Sequence, residues 1–577
     1  MRLTRFLTIL ALGSVFALAF AGCTKSNNKD SASPSSSSAP PASSEQSSAS
    51  PSADEAAAKL EKLGLDSNFK FKETRKITVE IYDRGNTGGS KPEDNVYTKY
   101  IKDGMLRDHN VEVTFVPVPR WTEGEVLNNL LAAGQAPDIS VTYSYPTIQT
   151  YANMGGITDL APFVDEYKDL LPNLWGYLTD SNINWDRDPS TGKLWALEAR
   201  LNVLNRINTF VREDWLKKLD LQAPTNLQEF ESMLKAFKDN ASTLLGKDAD
   251  KIIPFSTSFD VGWRTDHLTT SFVPDNITDK DIYVNGFDDR KLLYPNYKEG
   301  IRTLNKWYNE GLVWKDFPLY PAGDKTEDNL IKTGFVGAFI HNWDYPYRDG
   351  EDGITANLHK LVGPDANYIA VEPFPNDAGV YRKFLSAPVD RKLFFPSTNK
   401  EPLASMFYLD WISKLENRVY LQFGEEGKTH EKMPDGSFKT IAATDEYIMN
   451  SPANIDYTIT SNGIDTGNPD LTAKSLANGY AGVDARLIEI ANKITTNGGR
   501  VGQNAKAGEI KSEEGQGEAL SKKRDAFLDQ AVVASVDKFD AAYDAGMKDY
   551  LNSGGQAIID ERKAAWEKLY GSETMLK

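Results

Sequence analysis

Three short clusters set aromatic rings beside polar and charged groups: Tyr82-Asp83-Arg84, Pro119-Arg120-Trp121 and Tyr143-Ser144-Tyr145. A fourth, His341-Asn342-Trp343-Asp344, comes later in the chain. Rings offer flat apolar faces, and charged groups offer strong hydrogen bonds. Such clusters suit the holding of a ligand. Covalent and metal chemistry lack their usual spacings. There is no HExxH, no P-loop, no GxSxG and no GxGxxG after a strand. The five histidines, His109, His267, His341, His359 and His430, are scattered and none has metal-ligand spacing. The run from Asp186 to Gly192 has a faint calcium-loop outline. It lacks Gly at its sixth place and an acid at its twelfth, where Leu197 sits, so it reads as a turn. No cofactor and no metal are expected.

The elements that must position the clusters read as α/β. Ile77-Thr78-Val79-Glu80-Ile81 alternates like a strand. Residues 94–107 suit a helix. Val111-Glu112-Val113-Thr114-Phe115-Val116 is a second strand, closed by Pro117 and Pro119. Residues 123–133 suit a helix ended by Gly134, and 138–143 a third strand. Strand, helix, strand, helix, strand implies a mostly parallel sheet with right-handed crossovers. Ligands of such sheets sit beyond the carboxyl ends of the strands, which is where the first three clusters fall.

Farther along, 208–211 reads as a strand. A helix over 226–237 starts at Asn226, with Glu229 completing a capping box. Helices are expected over 302–309, 401–422, 484–494, 518–550 and 557–570, and an apolar strand over 335–340. The last third is mostly helical, and no internal repeat is present.

Composition narrows the function further. The chain has 577 residues, with 65 Lys plus Arg against 82 Asp plus Glu, a formal net charge of −17. That length exceeds the roughly 250–300 residues at which one core stops growing, so at least two lobes are expected. The acidity and the lack of any basic block argue against a nucleic-acid partner. The single cysteine allows no internal disulfide and no Cys-rich metal site.

The start of the chain reads as address and tether. Arg2 and Arg5 precede an apolar run, 6–20, too short for the ~20 residues of a spanning helix. Residues 1–22 therefore read as a secretory signal. Cys23, the only cysteine, follows Leu18-Ala19-Phe20-Ala21-Gly22, a run that resembles a bacterial lipobox with Phe20 where Leu is usual. The resemblance implies cleavage before Cys23 and lipidation of its thiol. From Thr24 to Ala53 there are 13 Ser and no apolar side chain larger than Ala. Residues 23–58 are expected to form a disordered tether, reaching roughly 100 Å when fully extended.

Several segments together resemble the extracellular solute-binding lipoproteins of carbohydrate ABC importers, in the form found in Bacillus and Paenibacillus. They are Leu131-Ala132-Ala133-Gly134-Gln135-Ala136-Pro137-Asp138-Ile139, Gly156-Ile157-Thr158-Asp159-Leu160 and Gly192-Lys193-Leu194-Trp195-Ala196-Leu197. Phe210-Val211-Arg212-Glu213-Asp214-Trp215-Leu216, Trp307-Tyr308-Asn309-Glu310-Gly311-Leu312 and Leu409-Asp410-Trp411-Ile412 follow in the family's order. The resemblance covers roughly 75–430 and fits 430–530 less well. It implies a two-lobed periplasmic-binding-protein-like α/β fold of the class II type, with a hinge, an interlobe cleft and a helix-rich C-terminal part. On that pattern the first lobe takes 70–205 plus 375–415 and the second 206–374 plus 416–577. The resemblance further implies a monomer, held at the extracellular face of the membrane by its lipid, that hands a sugar to the permease subunits of an ABC importer.

A sugar suits the clusters, because its rings have apolar faces and its hydroxyls must each find a partner. The candidate ligand-binding residues are Asp83, Arg84, Trp121, Tyr143 and Tyr145 from the first lobe, with Trp263, Trp343 and Asp344 from the second. Glu198 and Arg200, near the first crossing, are further candidates. Trp343 has the clearest family analogy, and Trp343→Ala is expected to weaken binding while sparing stability. Packing alternatives stand beside these roles. Trp121 and Trp263 could belong to their own cores, Asp83 and Arg84 could form a surface ion pair, and only one of Tyr143 and Tyr145 need face the cleft. Trp195, Trp215, Trp307 and Trp411 are expected in the core. Two other functions stay open on sequence alone: a secreted glycoside hydrolase with two carboxylates across the sugar, and a binding protein for peptides or another non-sugar solute.

Overall fold

The computed structural model describes residues 53–575 except 86–89, 203, 205–206, 259, 321–323, 349–352, 442–446, 448–455, 481, 503–509, 514–515 and 573–574. The signal segment, Cys23 and the tether through residue 52 lie outside the described residues. The expected tether ends early. Ala53–Lys62 form a helix, favoured by its alanines, by Asp54 and Glu55 in the first turn and by Lys59 and Lys62 in the last.

The strands that matter here are β1 (Arg75–Asp83), β2 (Val111–Pro119), β3 (Ser140–Thr142), β4 (Leu197–Leu201), β5 (Ile207–Arg212), β6 (Ile253–Ser256), β7 (Val336–Asn342), β8 (Tyr368–Val371), β9 (Lys383–Leu385) and β10 (Val389–Phe394). β1 and β2 pair in parallel from Arg75↔Val111 to Asp83↔Pro119. β2 runs on through Pro117, where the sequence suggested a stop. It has a single strand neighbour, so the missing proline N–H costs no ladder bond. A parallel bridge, Val79↔Ile139, leads from β1 to the residue before β3. β3 then joins a four-stranded sheet ordered Ser461–Asn462, β4, β10, β3. A second four-stranded sheet is ordered β6, β7, β5, β8.

The parallel order expected of the first three strands holds between β1 and β2 and at the bridge from β1 to Ile139, whereas both four-stranded sheets are mixed. β10 is antiparallel to β3 and β4, and β5 is antiparallel to β7 and β8. The reason is connectivity. β5 and β10 each begin just after the chain has passed from one sheet to the other, so each enters its sheet against the direction of its neighbours.

Local sequence explains the helices that carry β1 and β2. Helix α2 (Val96–His109) is capped by Asn95, whose side chain accepts from the N–H groups of Tyr97 and Thr98 while Thr98 closes the box. Its buried face presents Tyr97, Ile101 and Met105. Gly104 lets it lie against the helix Pro402–Ser413, since a Cβ there would stand 2.2 Å from the Trp411 ring. The single helix expected over 401–422 is two, Pro402–Ser413 and Leu415–Phe423, because Lys414 adopts φ −59 and ψ 131. The helix expected over 518–550 is likewise broken, after Val533.

Two large cores result. One is built from Val79, Ile101, Ile139, Leu197 and Phe407, the other from Phe210, Phe255, Trp307, Phe339 and Leu528. The chain passes between them over 201–207, 385–389 and 462–477. Leu421, Tyr457 and Ile459 pack into the first core, and Ser461–Asn462 pairs with β4. The helix Leu415–Phe423 and residues 456–462 thus pack with the first core.

Candidate functional site between two strand edges

The registers decide which strand ends face the second core. β4 ends at Leu201 and its continuation crosses to the start of β5; β10 begins where another crossing arrives. Val389 lies opposite Arg200, and Lys392 lies opposite Thr142. The carboxyl ends of β4 and β3 and the start of β10 therefore share one edge, and the parallel bridge to β1 puts Tyr82–Arg84 on the same side. In the second sheet Ile207 lies opposite Asn342, Thr209 opposite Val371, and Ser256 opposite Phe339. The start of β5 and the carboxyl ends of β6, β7 and β8 therefore form the edge to which the crossings lead. The Ser386 N–H donates to the Leu204 carbonyl at 2.7 Å, so two crossings run side by side.

On the first edge Tyr82 and Tyr143 stack, with ring centroids 6.1 Å apart and 19° between planes. The Arg120 guanidinium lies 4.3 Å from the Tyr143 centroid and 5.1 Å from that of Tyr82. Its partner is Glu123, 3.2 Å away, which also accepts from the Tyr82 hydroxyl at 2.8 Å. Burial lifts the Tyr82 phenol well above its ordinary pKa, and Glu80 and Glu123 add to the effect. Arg84 donates from Nε and Nη2 to both oxygens of Asp456, at 2.7 and 2.9 Å. Asp83 turns back to accept from the Gly85 N–H, where the glycine takes φ +68.

Tyr145 opens the helix Tyr145–Asn153, capped by Ser144, and its hydroxyl donates to the Asp186 carbonyl at 3.5 Å. Glu198 is buried, 3.3 Å from the Lys392 ammonium. Burial first, and the Asp186 carboxyl second, push its pKa well up, with Lys392 pulling the other way. Arg200 is exposed and donates to the Tyr177 carbonyl at 3.3 Å. Trp121 falls in the turn Arg120–Thr122, and its side chain lies outside the described residues.

On the second edge Trp263 is half-buried in the short helix Val261–Arg264, whose cap is Asp260. Its ring meets His341 edge-on at 5.0 Å, and His341 lies flat on Tyr345. Burial, then Arg264 and Arg348, hold the imidazole neutral, and its Nδ1 accepts from the Asn342 N–H at 2.7 Å. Tyr345 donates to Asp328 at 2.7 Å.

Trp343 and Asp344 do not join this surface. Trp343 is 0% exposed and belongs to the second core, with Tyr480 edge-on at 6.2 Å. Asp344 is equally buried and accepts from Arg348 and from the Tyr480 hydroxyl, both at 2.7 Å. Tyr480 lies against the ring that had been expected to stack on a ligand. Of the four tryptophans expected in the core, Trp215, Trp307 and Trp411 are buried, while Trp195 is half-buried.

The structure thus brings Asp83, Arg84, Tyr143, Tyr145, Glu198 and Arg200 to one edge and Trp263 to the other. Sequence reasoning passed over Tyr82, Arg120 and Tyr345, and it weighed His341 as a packing residue. The first two sat inside the clusters already noted. Asp456 carried no signal, since its partners Arg84 and Arg391 lie 372 and 65 residues away. Asp188 folds its loop by accepting from Ser190 and Thr191, as a plain turn does. Among the described residues no group of three or more His, Cys, Asp or Glu is placed to hold a metal ion.

No family model matches the chain. Lipoprotein LipO of Bacillus subtilis is 23% identical over 393 residues, covering 66% of this chain and 71% of that protein. The polygalacturonan/rhamnogalacturonan-binding protein YtcQ of the same organism is 23% identical over 484 residues, covering 80% and 86%. Among solved structures, the HMO-binding ABC-transporter-associated solute-binding protein of Bifidobacterium longum infantis superposes with a TM-score of 0.56 at 16% identity, over 87% of this chain and 100% of that one. The homologues of this chain are thus Bacillus lipoproteins and streptococcal substrate-binding proteins of carbohydrate ABC transporters, and its fold is that of the two-domain solute-binding proteins.

Proposed function

We propose that this chain captures an oligosaccharide between its lobes and delivers it to an ABC permease. One observation carries the reading. The crossings between the two cores leave from one strand edge of each, and each edge sets rings among polar groups: Tyr143 with Arg84 and Asp83 on one, Trp263 with His341 and Tyr345 on the other. Tyr145, Glu198, Arg200 and Trp121 complete the proposed site on the first lobe. Contacts from both lobes would favour the closed arrangement over the open one, which contacts from a single lobe cannot do.

The relatives support a carbohydrate ligand. YtcQ is named for polygalacturonan and rhamnogalacturonan, and FusA of Streptococcus pneumoniae for fructooligosaccharide. We divide the chain into a first lobe of about 65–201 plus 389–462 and a second of about 207–385 plus 477–570, following the two cores. The lipobox-like run before Cys23, together with a relative named as a lipoprotein, supports anchoring at the outer face of the membrane. Among the described residues no helix is long and apolar enough to cross a membrane. The protein acts as a monomer in this reading.

Turnover is not part of it. Three carboxylates of the first edge are engaged by cations: Asp456 by Arg84, Glu123 by Arg120 and Glu198 by Lys392. Incubation with a panel of glycans tests the proposal. Saturable one-to-one binding with the glycan recovered intact is expected. Release of reducing ends would make the chain a hydrolase, and binding of peptides alone would replace the sugar.

A further inference from the structure

The two edges carry many cations, and nearly all are already matched. Arg84 is held two-pronged by Asp456, which is 2% exposed, and Arg120 by Glu123. Lys392 has Glu198. Across the cleft Arg264 reaches Glu327 through both terminal nitrogens at 2.5 and 2.7 Å, and Arg290 reaches Asp260 at 2.8 Å. The imidazole of His341 is neutral. Among the described residues named here Arg200 is the exception, bonded to a carbonyl.

Matched pairs of this kind treat ligands unequally. A hydroxyl can donate to the carboxylate of a pair and accept from an N–H of its arginine, since it both donates and accepts. A sugar carboxylate finds the cation taken and a carboxylate beside it, and it must also shed its water. Resting on the sugar reading above, we infer that the site selects neutral oligosaccharides and rejects uronic-acid chains. Asp456 and Glu123 are the specificity-determining residues, because they cancel the charge of Arg84 and Arg120.

Calorimetry at low salt, where charge effects are least screened, tests this with neutral tetrasaccharides and tetragalacturonate as probes. The intact protein should bind its best neutral probe at least about tenfold more tightly than the uronate. Asp456→Asn and Glu123→Gln should each move that ratio toward the uronate, by roughly tenfold for the pair laid bare. Asp456 is buried and its variant needs a folding check by circular dichroism. Glu123 is 7% exposed against 2% for Asp456, and Glu123→Gln, with the same folding check, serves where the first fails to fold. Tightest binding of tetragalacturonate by the intact protein, or an unmoved ratio in a folded variant, would overturn the inference while leaving a sugar receptor. Binding of no glycan by any form would remove the sugar reading itself, and the inference with it.

Discussion

Arg84 and Asp456 lie 372 residues apart in the chain and meet in a two-pronged ion pair, Nε and Nη2 each bonded to one carboxylate oxygen. The pair joins the end of β1 to the segment that runs into Ser461–Asn462 beside β4. Asp456 also lies 3.9 Å from Arg391, which is fully buried. One carboxylate thus compensates two cations at the edge of the first lobe.

Asp456→Ala should therefore cost more stability than Arg84→Ala. Removing one partner of a buried pair costs about 3–5 kcal/mol, because the other charge is left uncompensated. Arg84 is 17% exposed and its removal leaves Asp456 facing Arg391, so its loss should be milder. Denaturant unfolding of both single variants and the double variant measures this. Equal losses would mean that Arg391 gains nothing from Asp456.

Two tryptophans should separate binding from stability. Trp343→Ala removes a fully buried ring from the second core and should lower stability by about 3–5 kcal/mol. That reverses the expectation from sequence, which put its cost in affinity alone. Trp263→Ala removes a half-buried ring at the edge and should weaken glycan binding by roughly tenfold or more, with a smaller loss of stability. Thermal unfolding and calorimetry on both variants check the contrast. A loss of affinity confined to Trp343→Ala would return that ring to the site.

Asp529 predicts a pH effect. It lies on the helix Gly517–Val533, and burial first, then the charges of Asp525 and Asp260, push its pKa up to about 8. The folded value is above the unfolded one. Its contribution to stability is therefore complete below about pH 4 and is lost as the pH climbs through about 8. Asp529→Asn should raise the melting temperature by about 2–4 °C at alkaline pH and change it little under acid conditions. Scanning the melting temperature of both proteins against pH tests this. A constant difference across the range would mean that the carboxyl does not titrate there.

What the sequence made legible was what is local. β1 and α2 showed their period and their cap within a dozen residues, and the three aromatic clusters sat where those strands end. The break at Lys414 was hidden because no Gly or Pro marks it. Trp343 looked like a ligand platform because nothing in its own neighbourhood reports that Tyr480, far along the chain, lies against it. Asp456 was silent for the same reason. The reversal of β5 and β10 follows from where the chain crosses between lobes, and crossings leave no periodicity of their own.

The anchoring of the hinge is the remaining case where distant residues act together. The Asn202 amide donates to the Tyr177 hydroxyl at 3.2 Å, to Ser461 Oγ at 3.1 Å and to the Gly463 carbonyl at 3.0 Å. Arg418 lies 3.6 Å above the Tyr177 ring. This buried network fastens the first-lobe ends of two crossings to the first lobe, so the pivot of any closure lies beyond Asn202 and Gly463. Asn202→Ala should cost about 1–3 kcal/mol, since buried partners lose their bonds. If the network moves as one piece with the lobe, it is the same in open and closed states, and it makes no difference to their balance. The melting temperature of Asn202→Ala should then fall by the same amount with and without a saturating glycan. A shrunken ligand-induced rise would place the pivot inside the network instead.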